Sequence, residues 1–293
     1  MSDNTLDNTE TQVFVSAQKL MKQTLNEKHL NPTNNIPKTS ITTGFNAINK
    51  ITKGFQKGEL ATIAVRPGIG KTSFLISMIN NVALCECHSV GVFSLERKSH
   101  KLLKRLIQST TGISMDKIND GNITDVEHNH VRSLINSISK SNLIFEDQAA
   151  MSTDTLADKA KQMQKHGVEI IFIDYLELLH SNNEDENCED EKCKIMKELH
   201  QLAKDINIPI ILFSQLQKPI IYKNKYKYTP DFINNNTDTL IFLNRPSYYH
   251  INQIDKVSED IAEITIAKNI NIGEMQIAEL KIIENLGQFK DFN

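Results

Sequence analysis

Short apolar runs recur along the chain, and helix-like segments separate most of them. Six runs read as strands: ELATIAV (59–65), SVGVFSL (89–95), NLIFE (142–146), VEIIFID (168–174), PIILFSQ (209–215) and TLIFLN (239–244). Several are almost continuously apolar, as is typical of parallel strands covered by helices on both faces. Two later runs, AEITIAK (262–268) and IAELKII (277–283), alternate instead and indicate an antiparallel pair. The pattern predicts an α/β fold with a mostly parallel central sheet, flanking helices and an antiparallel C-terminal extension.

Composition and charge exclude several classes of protein. Of the 293 residues, 39% are hydrophobic, which suffices for one sizeable globular domain with an appendage. The net charge is −3, so any nucleic-acid surface must be local. Four cysteines (Cys85, Cys87, Cys188 and Cys193) are too few and too unevenly spread for a secreted disulfide framework. With no signal peptide and no apolar run of about 20 residues, we expect a soluble, cytoplasmic protein without a membrane span.

The N-terminal part of the chain differs in composition from the rest. Residues 1–10 are polar and acidic, as in a disordered tail. TQVFVSAQKLMKQTLNEKH (11–29) has one apolar stripe at helical spacing, and LNPTNNIPKTS (30–40) has the prolines and asparagines of a linker. We therefore divide the chain into a tail, amphipathic linker helix and linker over 1–41, and one domain over 42–293.

The strand at 59–65 is followed by a tight, glycine-containing loop and then by a helical segment. The loop and first helical turn read Pro67, Gly68, Ile69, Gly70, Lys71, Thr72 and Ser73. Backbone N–H groups at such a turn attract phosphate, Lys71 would reach the β- and γ-phosphates, and the Thr72 hydroxyl would bind Mg²⁺. The generic phosphate-loop pattern requires a glycine where this chain has Val65. An ordinary strand-to-helix turn would explain the glycines but not the lysine.

Three other strands end in side chains that suit the same site. VEIIFID ends on Asp174, where a carboxylate beside the loop can support Mg²⁺. VGVFSLE ends on Glu96, which could orient or deprotonate an attacking water molecule. PIILFSQ ends on Gln215, whose amide could sense a γ-phosphate. A single acid at a strand end is usually a solvated end, but two acids in a chain with a phosphate loop indicate a nucleotide site.

These motifs resemble the C-terminal ATPase domain of DnaB-type replicative DNA helicases. The resemblance rests on TTGFNAINKITKGFQKGELATIAVRPGIGKTSF, VGVFSLE, IIFIDYLELL and LAKDINIPIILFSQL, and it covers residues 42 to about 217 well. The family's loop reads ARPxxGKT without the first glycine, which accounts for Val65. The order of several motifs makes the resemblance specific.

The resemblance implies a RecA-like P-loop fold, ATP hydrolysis with Mg²⁺ at subunit interfaces, and a hexameric ring that translocates on single-stranded DNA. It implies that Lys71 and Thr72 bind phosphate and Mg²⁺. It also implies that Glu96 activates water, that Asp174 supports Mg²⁺ and that Gln215 senses the γ-phosphate. A helicase loader or primase would be a partner. We expect the family's N-terminal primase-interacting domain to be absent.

The chain also departs from the family pattern. In IAKNINIG, Lys268 matches a family lysine, but Ile270 replaces the arginine finger that reaches a neighbouring subunit's site. A working ring would need another cation: Lys268 is the first candidate, and Arg245, at a strand tip, is the second. The family's DNA-contacting segment is replaced by DFINNNTDT (231–239), and an expected channel-side loop is acidic, NNEDENCEDEK (182–192).

One lysine- and tyrosine-rich segment, QKPIIYKNKYKYTP (217–230), has the composition of a single-strand-binding surface. Cations for phosphates and aromatic faces for bases are what such surfaces use. The candidate residues are Lys218, Tyr222, Lys223, Lys225, Tyr226 and Lys227. A polar, lysine-rich surface loop explains the segment equally well.

Three functions remain open from the sequence. The leading hypothesis is an ATP-dependent DNA helicase motor of the replicative type. The second is a divergent ATP-binding protein of the same fold that does not unwind DNA. The third is an interaction module that binds or interferes with a helicase ring. The retained site residues favour nucleotide chemistry over the third function, whereas Ile270 and the acidic segment favour the second over the first.

Overall fold

A computed structural model describes residues 40–181, 188–216, 231–249 and 260–292. The predicted tail, amphipathic helix and most of the linker lie outside these ranges, as do residues 217–230 with all six nucleic-acid candidates. Within the described ranges, no helix combines the length and the apolarity that crossing a membrane requires.

The described residues include thirteen strands and eight α-helices. The strands are β1 (Ser40–Ile41), β2 (Phe55–Gln56), β3 (Leu60–Val65), β4 (Val90–Ser94), β5 (Leu143–Glu146), β6 (Met151–Ser152), β7 (Ile170–Asp174), β8 (Leu179–His180), β9 (Ile210–Gln215), β10 (Thr239–Asn244), β11 (Ile261–Lys268), β12 (Gln276–Ile283) and β13 (Gln288–Lys290). The helices are α1 (Asn46–Thr52), α2 (Lys71–Ile79), α3 (Ser99–Thr111), α4 (Met115–Asn119), α5 (Asp125–Lys140), α6 (Thr153–Lys165), α7 (Cys188–Ile206) and α8 (Asp231–Asn235). A π-helical turn (Asn80–Cys85) extends α2, and 3₁₀ turns span Leu176–Leu178, Pro246–Tyr249 and Glu284–Leu286.

One nine-stranded sheet organises the fold, in the order β13-β12-β11-β10-β3-β9-β7-β4-β5. The strands from β10 to β5 pair in parallel, and β11, β12 and β13 continue the sheet antiparallel. All six predicted parallel strands and the predicted antiparallel pair are therefore confirmed. The pairs β1-β2 and β6-β8 form two small sheets of their own.

Apolar side chains leave both faces of the central strands. In β7, Ile170 and Phe172 join the core cluster that includes α2 and α3, whereas Ile171 and Ile173 join the cluster that includes α6 and α7. All four side chains are fully buried. Successive residues of a strand point to opposite faces, so a strand buried on both sides must be apolar throughout. This is why these strands were recognisable as continuous apolar runs.

The C-terminal strand β13 packs against the helix that follows the phosphate loop. The Phe289 ring meets the Phe74 ring edge to face at 5.2 Å, and the Phe289 N–H donates to Ser77 Oγ at 3.0 Å. Asp291 accepts hydrogen bonds from the N–H groups of Asn46 and Ala47, the first two residues of α1. The end of the chain thus fixes α1 and supports α2 from behind.

The structure describes all or part of the two segments that were interpreted from the sequence as departures from the family pattern. Cys188–Ile206 is helical, so the interpretation of 182–192 as a loop is wrong for its second half, and residues 182–187 are outside the described ranges. Later turns of α7 pack in the core through the buried residues Ile195, Met196 and Leu199. This packing stabilises the helix, whose first turn includes the acidic residues. DFINNNTDT begins as the short helix α8 and continues into β10.

Candidate active site

The tips of four neighbouring strands bring the predicted residues together. Strands β3, β9, β7 and β4 are adjacent and parallel, so their carboxyl ends meet at one edge of the sheet. Val65 is paired with Gln215, and Ser94 with Asp174. Glu96 follows β4 by two residues. The phosphate loop, which follows Val65, therefore lies beside Gln215, Asp174 and Glu96.

The loop backbone has the conformation that its glycines predict. Gly68 and Gly70 have φ values of +81° and +112°, a region that other residues enter only with strain. Helix α2 begins at Lys71. The N–H groups of its first turn point towards the loop and have no intrahelical partners. A Cβ atom at Gly70 would lie 3.4 Å from the Phe289 ring, so β13 closes the loop from behind.

Lys71 lies at the centre of the site and contacts three side chains from two other strand tips. Its ammonium is 2.6 Å from Asp174 Oδ1 and 3.1 Å from Glu96 Oε2. It also lies over the ring of Tyr175, 3.4 Å from the centroid, as in a cation–π contact. The two carboxylates are thus the ion-pair partners of the Lys71 ammonium.

Asp174 is fully buried at the tip of β7. Burial raises the pKa of its carboxyl above the usual value, although the neighbouring Lys71 ammonium opposes this shift. Its Oδ1 is bound to Lys71, whereas its Oδ2 is buried and has no hydrogen-bond partner among the described residues. A buried carboxylate oxygen without a partner is costly, and a hydrated cation would satisfy it. The site therefore fits Mg²⁺, with Asp174 and the nearby Thr72 hydroxyl as the groups that would hold it.

Glu96 projects beyond the end of β4 into a cleft of about 260 Å³. The cleft is lined by Gly68, Gly70, Lys71, Thr72, Ser73, Glu96, Gln215 and their neighbours Val65, Arg66, Pro67, Arg97 and Arg105. The Glu96 side chain is 36% exposed, so it can meet both water and a bound phosphate. Of the residues predicted for nucleotide binding, Ile69 has a side chain that is completely buried in the core, and Arg245 lies outside this cleft.

Gln215 is held by a residue that the sequence analysis missed. The Glu177 carboxylate accepts from the Gln215 backbone N–H at 3.1 and 3.2 Å and from Ser214 Oγ at 2.8 Å. Glu177 comes from the 3₁₀ turn that directly follows β7. The turn thus couples the Asp174 strand to the tip of β9. The one sequence signal for this contact is that Glu177 lies three residues after Asp174.

A second cleft, of about 400 Å³, adjoins the phosphate loop on the side of the C-terminal strands. Arg245, at the tip of β10, lines it and forms an ion pair with Glu284 at 2.8 Å. Arg105 of α3, another residue missed from the sequence, lines both clefts, and burial lowers the pKa of its guanidinium. Its position on the helix after Glu96 was the available signal. The combined space has cations near the phosphate loop and an apolar wall formed by Ile76, Ile282 and Phe289.

Lys268 is not part of this cluster. Lys268 is the last residue of β11, which runs antiparallel to β10. It therefore pairs with Leu240, at the edge of the sheet opposite the phosphate loop. Its ammonium donates to the backbone carbonyls of Asn234 at 2.9 Å and Thr237 at 2.5 Å. Ile270 follows in a turn and is 87% exposed. Within one chain, therefore, Lys268 cannot act on a nucleotide at the phosphate loop, and its catalytic role stays a prediction for contact between chains.

Comparisons with known proteins identify what the chain is similar to. A family model described as the DnaB-like helicase C terminal domain matches residues 40–291. The replicative DNA helicase DnaC of Bacillus subtilis is 31% identical over 255 residues, covering 83% of this chain and 55% of the relative. The replicative DNA helicase DnaB of Geobacillus stearothermophilus is 30% identical, with coverage of 83% and 55%. The chain thus spans about half the length of the curated relatives it matches.

Solved structures give the same result for the fold. One solved structure, an ATPase domain, superposes with a TM-score of 0.82 and 25% identity. The match covers 96% of this chain and the whole of that domain. A structure described as a DnaB-like replicative helicase and its interactions with primase matches 96% of this chain and 68% of its own, with a TM-score of 0.80 and 25% identity. The RecA-like ATPase fold predicted from the sequence is confirmed.

Proposed function

Because the chain belongs to the family of DnaB-like helicase C-terminal domains, we propose that it binds ATP with Mg²⁺ and hydrolyses it. The observation that carries the proposal is that Lys71, Glu96 and Gln215 line one cleft at the phosphate loop, with Asp174 buried beside it and 2.6 Å from the Lys71 ammonium. Three strand tips line this cleft and a fourth supplies the buried Asp174, so a chance arrangement is a poor explanation. The adjoining cleft with Arg245 provides room for the ribose and base.

The residues have distinct roles in this proposal. Lys71 leaves the carboxylates and contacts the β- and γ-phosphates, while the N–H groups of the loop and the α2 N-terminus bind the remaining phosphate oxygens. Glu96 takes a proton from the attacking water, the water oxygen bonds to the γ-phosphorus, and the bond to the β-phosphate oxygen breaks, giving ADP and phosphate. Gln215 contacts the γ-phosphate and changes partners when that group leaves.

Magnesium has a defined place in the proposal. Asp174 and Thr72 would hold the hydrated ion, which suits hard oxygen ligands and retains several water molecules. When bound, Mg²⁺ neutralises charge on the phosphates during hydrolysis. The buried, unpartnered Asp174 Oδ2 supports this assignment, because a cation nearby would offset its burial.

We further propose that the domain over 42–293 acts in a ring, hexameric by family resemblance, as a motor on single-stranded DNA. The solved neighbour described with its primase interactions supports a primase as a partner, and a helicase loader is a partner by family resemblance. The candidate DNA contacts Lys218, Tyr222, Lys223, Lys225, Tyr226 and Lys227 stay predictions, because they lie outside the described residues.

One observation favours a second function, an ATPase that does not unwind DNA. The residue that replaces the family's finger arginine, Ile270, is fully presented to solvent and carries no charge. Arginine fingers increase rates by about 10³–10⁵ where they have been measured. Slow turnover without strand separation would fit this substitution.

Steady-state ATPase measurement with and without single-stranded DNA tests both functions. A DNA-stimulated rate together with separation of a forked duplex supports the helicase motor. A basal rate that DNA does not change, with no strand separation, supports the second function. Absence of nucleotide binding by calorimetry would overturn the proposal as a whole.

A further inference from the structure

Arg97 directly follows Glu96 and lines the same cleft at the phosphate loop. It lies in the short segment between β4 and α3. Its Nη2 is 3.7 Å from Glu96 Oε1, whereas the Lys71 ammonium is 3.1 Å from Glu96 Oε2. The Glu96 carboxylate thus has a cation beside each of its two oxygens. Arg97 is the outer of these cations, since its side chain is 41% exposed and that of Lys71 is 11% exposed.

Hydrogen bonds at both ends fix the backbone that carries Arg97. The hydroxyl of Ser94, which is fully buried at the end of β4, donates to the Arg97 carbonyl at 2.5 Å. On the other side, the N–H of Ser99 at the start of α3 donates to Asp147 Oδ2 at 2.8 Å. The Arg97 backbone is therefore positioned by β4 and α3, and the side chain is the part that can adapt to a ligand.

The Arg97 guanidinium has donors available for an anion. Among the residues that the structure describes, its Nε is buried without a hydrogen-bond partner. Its contact with Glu96 at 3.7 Å is an ion pair but is too long for a hydrogen bond. An exposed ion pair of this kind contributes little to stability. A guanidinium, by contrast, has five N–H donors in a planar fork that matches two oxygens of a phosphate.

Positive charge exceeds negative charge around this cleft. The cationic residues that line it are Arg66, Lys71, Arg97 and Arg105. Burial raises the pKa of the Asp174 carboxyl, and the charges of Lys71 and Arg97 oppose this shift. Burial also lowers the pKa of the Arg105 guanidinium, and repulsion by Arg97 lowers it further. Arg97 is therefore within electrostatic reach of the groups on both sides of the cleft, where a polyanion would offset the excess charge.

The cations considered from the sequence do not occupy this position within one chain. Lys268 lies at the opposite edge of the sheet, and the six residues of β3 separate the two edges by about 20 Å. Arg245 lines the adjoining cleft, where it forms an ion pair with Glu284 at 2.8 Å. Arg97 is instead next to Glu96, the predicted base, in the cleft that contains the phosphate loop.

We infer that Arg97 is a catalytic residue that contacts the γ-phosphate of ATP bound to its own chain and supplies in cis the positive charge that Ile270 lacks. The inference rests on the proposed function, since it assumes that the phosphate loop binds ATP. When Lys71 moves to the phosphates, Arg97 is the cation that remains beside Glu96. Arginines that stabilise phosphoryl transfer are supplied either by the same chain or by a partner.

Arg97 acts in this mechanism as a charge and a hydrogen-bond donor. Glu96 takes a proton from water, the water oxygen bonds to the γ-phosphorus, and the bond to the β-phosphate oxygen breaks, giving ADP and phosphate. Negative charge on the γ-phosphate oxygens is offset by two N–H groups of Arg97, which keeps its own proton throughout. Loss of one such donor reduces kcat by about 10²–10³-fold in other enzymes, so we expect about 100-fold without Arg97.

Substitution of Arg97 tests the inference by steady-state kinetics. Arg97→Met removes the guanidinium and keeps an unbranched side chain, so kcat should fall by about 100-fold with little change in KM. Arg97→Lys keeps the charge but not the fork and should have an intermediate rate. Lys101→Met is the matched control, because Lys101 is exposed on α3 and lines neither cleft, and it should retain the parental rate. Parental turnover by Arg97→Met would overturn the inference.

A transition-state analogue separates direct contact from an effect through Glu96. ADP with aluminium fluoride and Mg²⁺ should bind Arg97→Met at least tenfold more weakly than the unmodified protein, whereas the non-hydrolysable analogue AMP-PNP should bind both with similar affinity. In a Glu96→Gln background, Arg97→Met should still weaken binding of the fluoride complex. Equal affinities in that background would mean that Arg97 only positions Glu96, which contradicts a catalytic role.

A mixing experiment tests whether Arg97 acts within its own chain. Lys71→Ala cannot use ATP but retains Arg97, so its copies could supply the guanidinium to a neighbour. Added in excess to Arg97→Met, Lys71→Ala should leave the slow turnover unchanged. Recovery of turnover would show that Arg97 acts on another copy and would overturn the assignment in cis.

Two measurements on the unmodified protein distinguish failure of this inference from failure of the proposed function. If the unmodified protein binds AMP-PNP and hydrolyses ATP while Arg97→Met does so at the parental rate, the inference alone is contradicted. If the unmodified protein does not bind AMP-PNP, the proposed function is contradicted and the inference with it.

Discussion

The ammonium of Lys71 lies 2.6 Å from Oδ1 of Asp174, although 103 positions separate the two residues in the sequence. The ion pair gives the buried carboxylate a partner and holds the lysine at the mouth of α2. Under the proposed function, nucleotide binding replaces this partner, because the same ammonium would bind the phosphates. The released Asp174 would then face the cation that accompanies the nucleotide.

Removal of the Lys71 ammonium should abolish hydrolysis. A hydrogen bond to a charged group contributes about 1.5–3 kcal/mol, so Lys71→Ala should weaken ATP binding by roughly 10–100-fold. Isothermal calorimetry and steady-state turnover measure the two effects, with Lys161→Ala as the control for loss of an exposed lysine. Unchanged affinity and turnover in Lys71→Ala would show that the phosphate-loop interpretation is wrong.

Glu96 and Asp174 should have separable roles. Glu96→Gln removes the base but not the metal support, so ATP·Mg²⁺ should remain bound while turnover falls by about 10²–10⁴-fold. Asp174→Asn should instead raise the Mg²⁺ concentration needed for half-maximal turnover. Magnesium titrations of both variants compare these responses. If Glu96→Gln hydrolysed ATP at the parental rate, Glu96 would have to be removed from the catalytic residues.

Glu177 should act as a positioning residue for Gln215. Glu177→Ala frees the Gln215 N–H and the Ser214 hydroxyl, so kcat should fall by about tenfold with little change in KM, because the loss concerns the γ-phosphate contact. Glu177→Gln keeps an acceptor oxygen and should recover most of the rate. If Glu177 acts through Gln215, Glu177→Ala should have no further effect in a Gln215→Ala background. Additive losses would contradict this role.

The left-handed conformation of Gly70 gives a prediction about backbone strain. With φ at +112° and the Phe289 ring 3.4 Å from a built Cβ atom, Gly70→Ala should lower the free energy of unfolding by about 1–3 kcal/mol. Nucleotide affinity should fall as well, because the loop must deform. Gly273→Ala is the matched control, since a Cβ atom there meets nothing within 4 Å. Equal urea denaturation midpoints for the two variants would contradict the prediction.

Burial of Glu59 predicts a specific dependence of stability on pH. Burial raises the pKa of the Glu59 carboxyl above 4.5, despite its hydrogen bonds to Thr239 and Gln56. Above about pH 4.5 the unfolded state has released this proton while the folded state still holds it, so folding stability falls as pH rises until the folded-state pKa is passed. Glu59→Gln removes this contribution. Its melting temperature should therefore decrease less between pH 5 and pH 8 than that of the unmodified protein.

Local sequence patterns allowed most of the sheet to be predicted. The eight runs recognised as strands all form strands, because a strand covered on both faces needs apolar residues at successive positions and a strand with one exposed face, such as β12, needs alternation. The phosphate loop was also predictable, since its glycines, Lys71 and Thr72 are contiguous. The helical conformation of residues 188–192 was not, because acidic residues at a helix start are compatible with both a loop and a first turn.

The sequence by itself determined which side chains end or closely follow the central strands, Glu96, Asp174 and Gln215, and which lysine, Lys71, begins the helix after the phosphate loop. Only the tertiary structure decided which groups surround them. Tyr175 under Lys71, Glu177 on Gln215 and Arg105 between the two clefts depend on how the strands are ordered in the sheet and how α3 packs, which no local pattern encodes. The same holds for Lys57 and Lys204, which are distant along the chain and line one cleft because the β2-β3 turn lies against the last turn of α7.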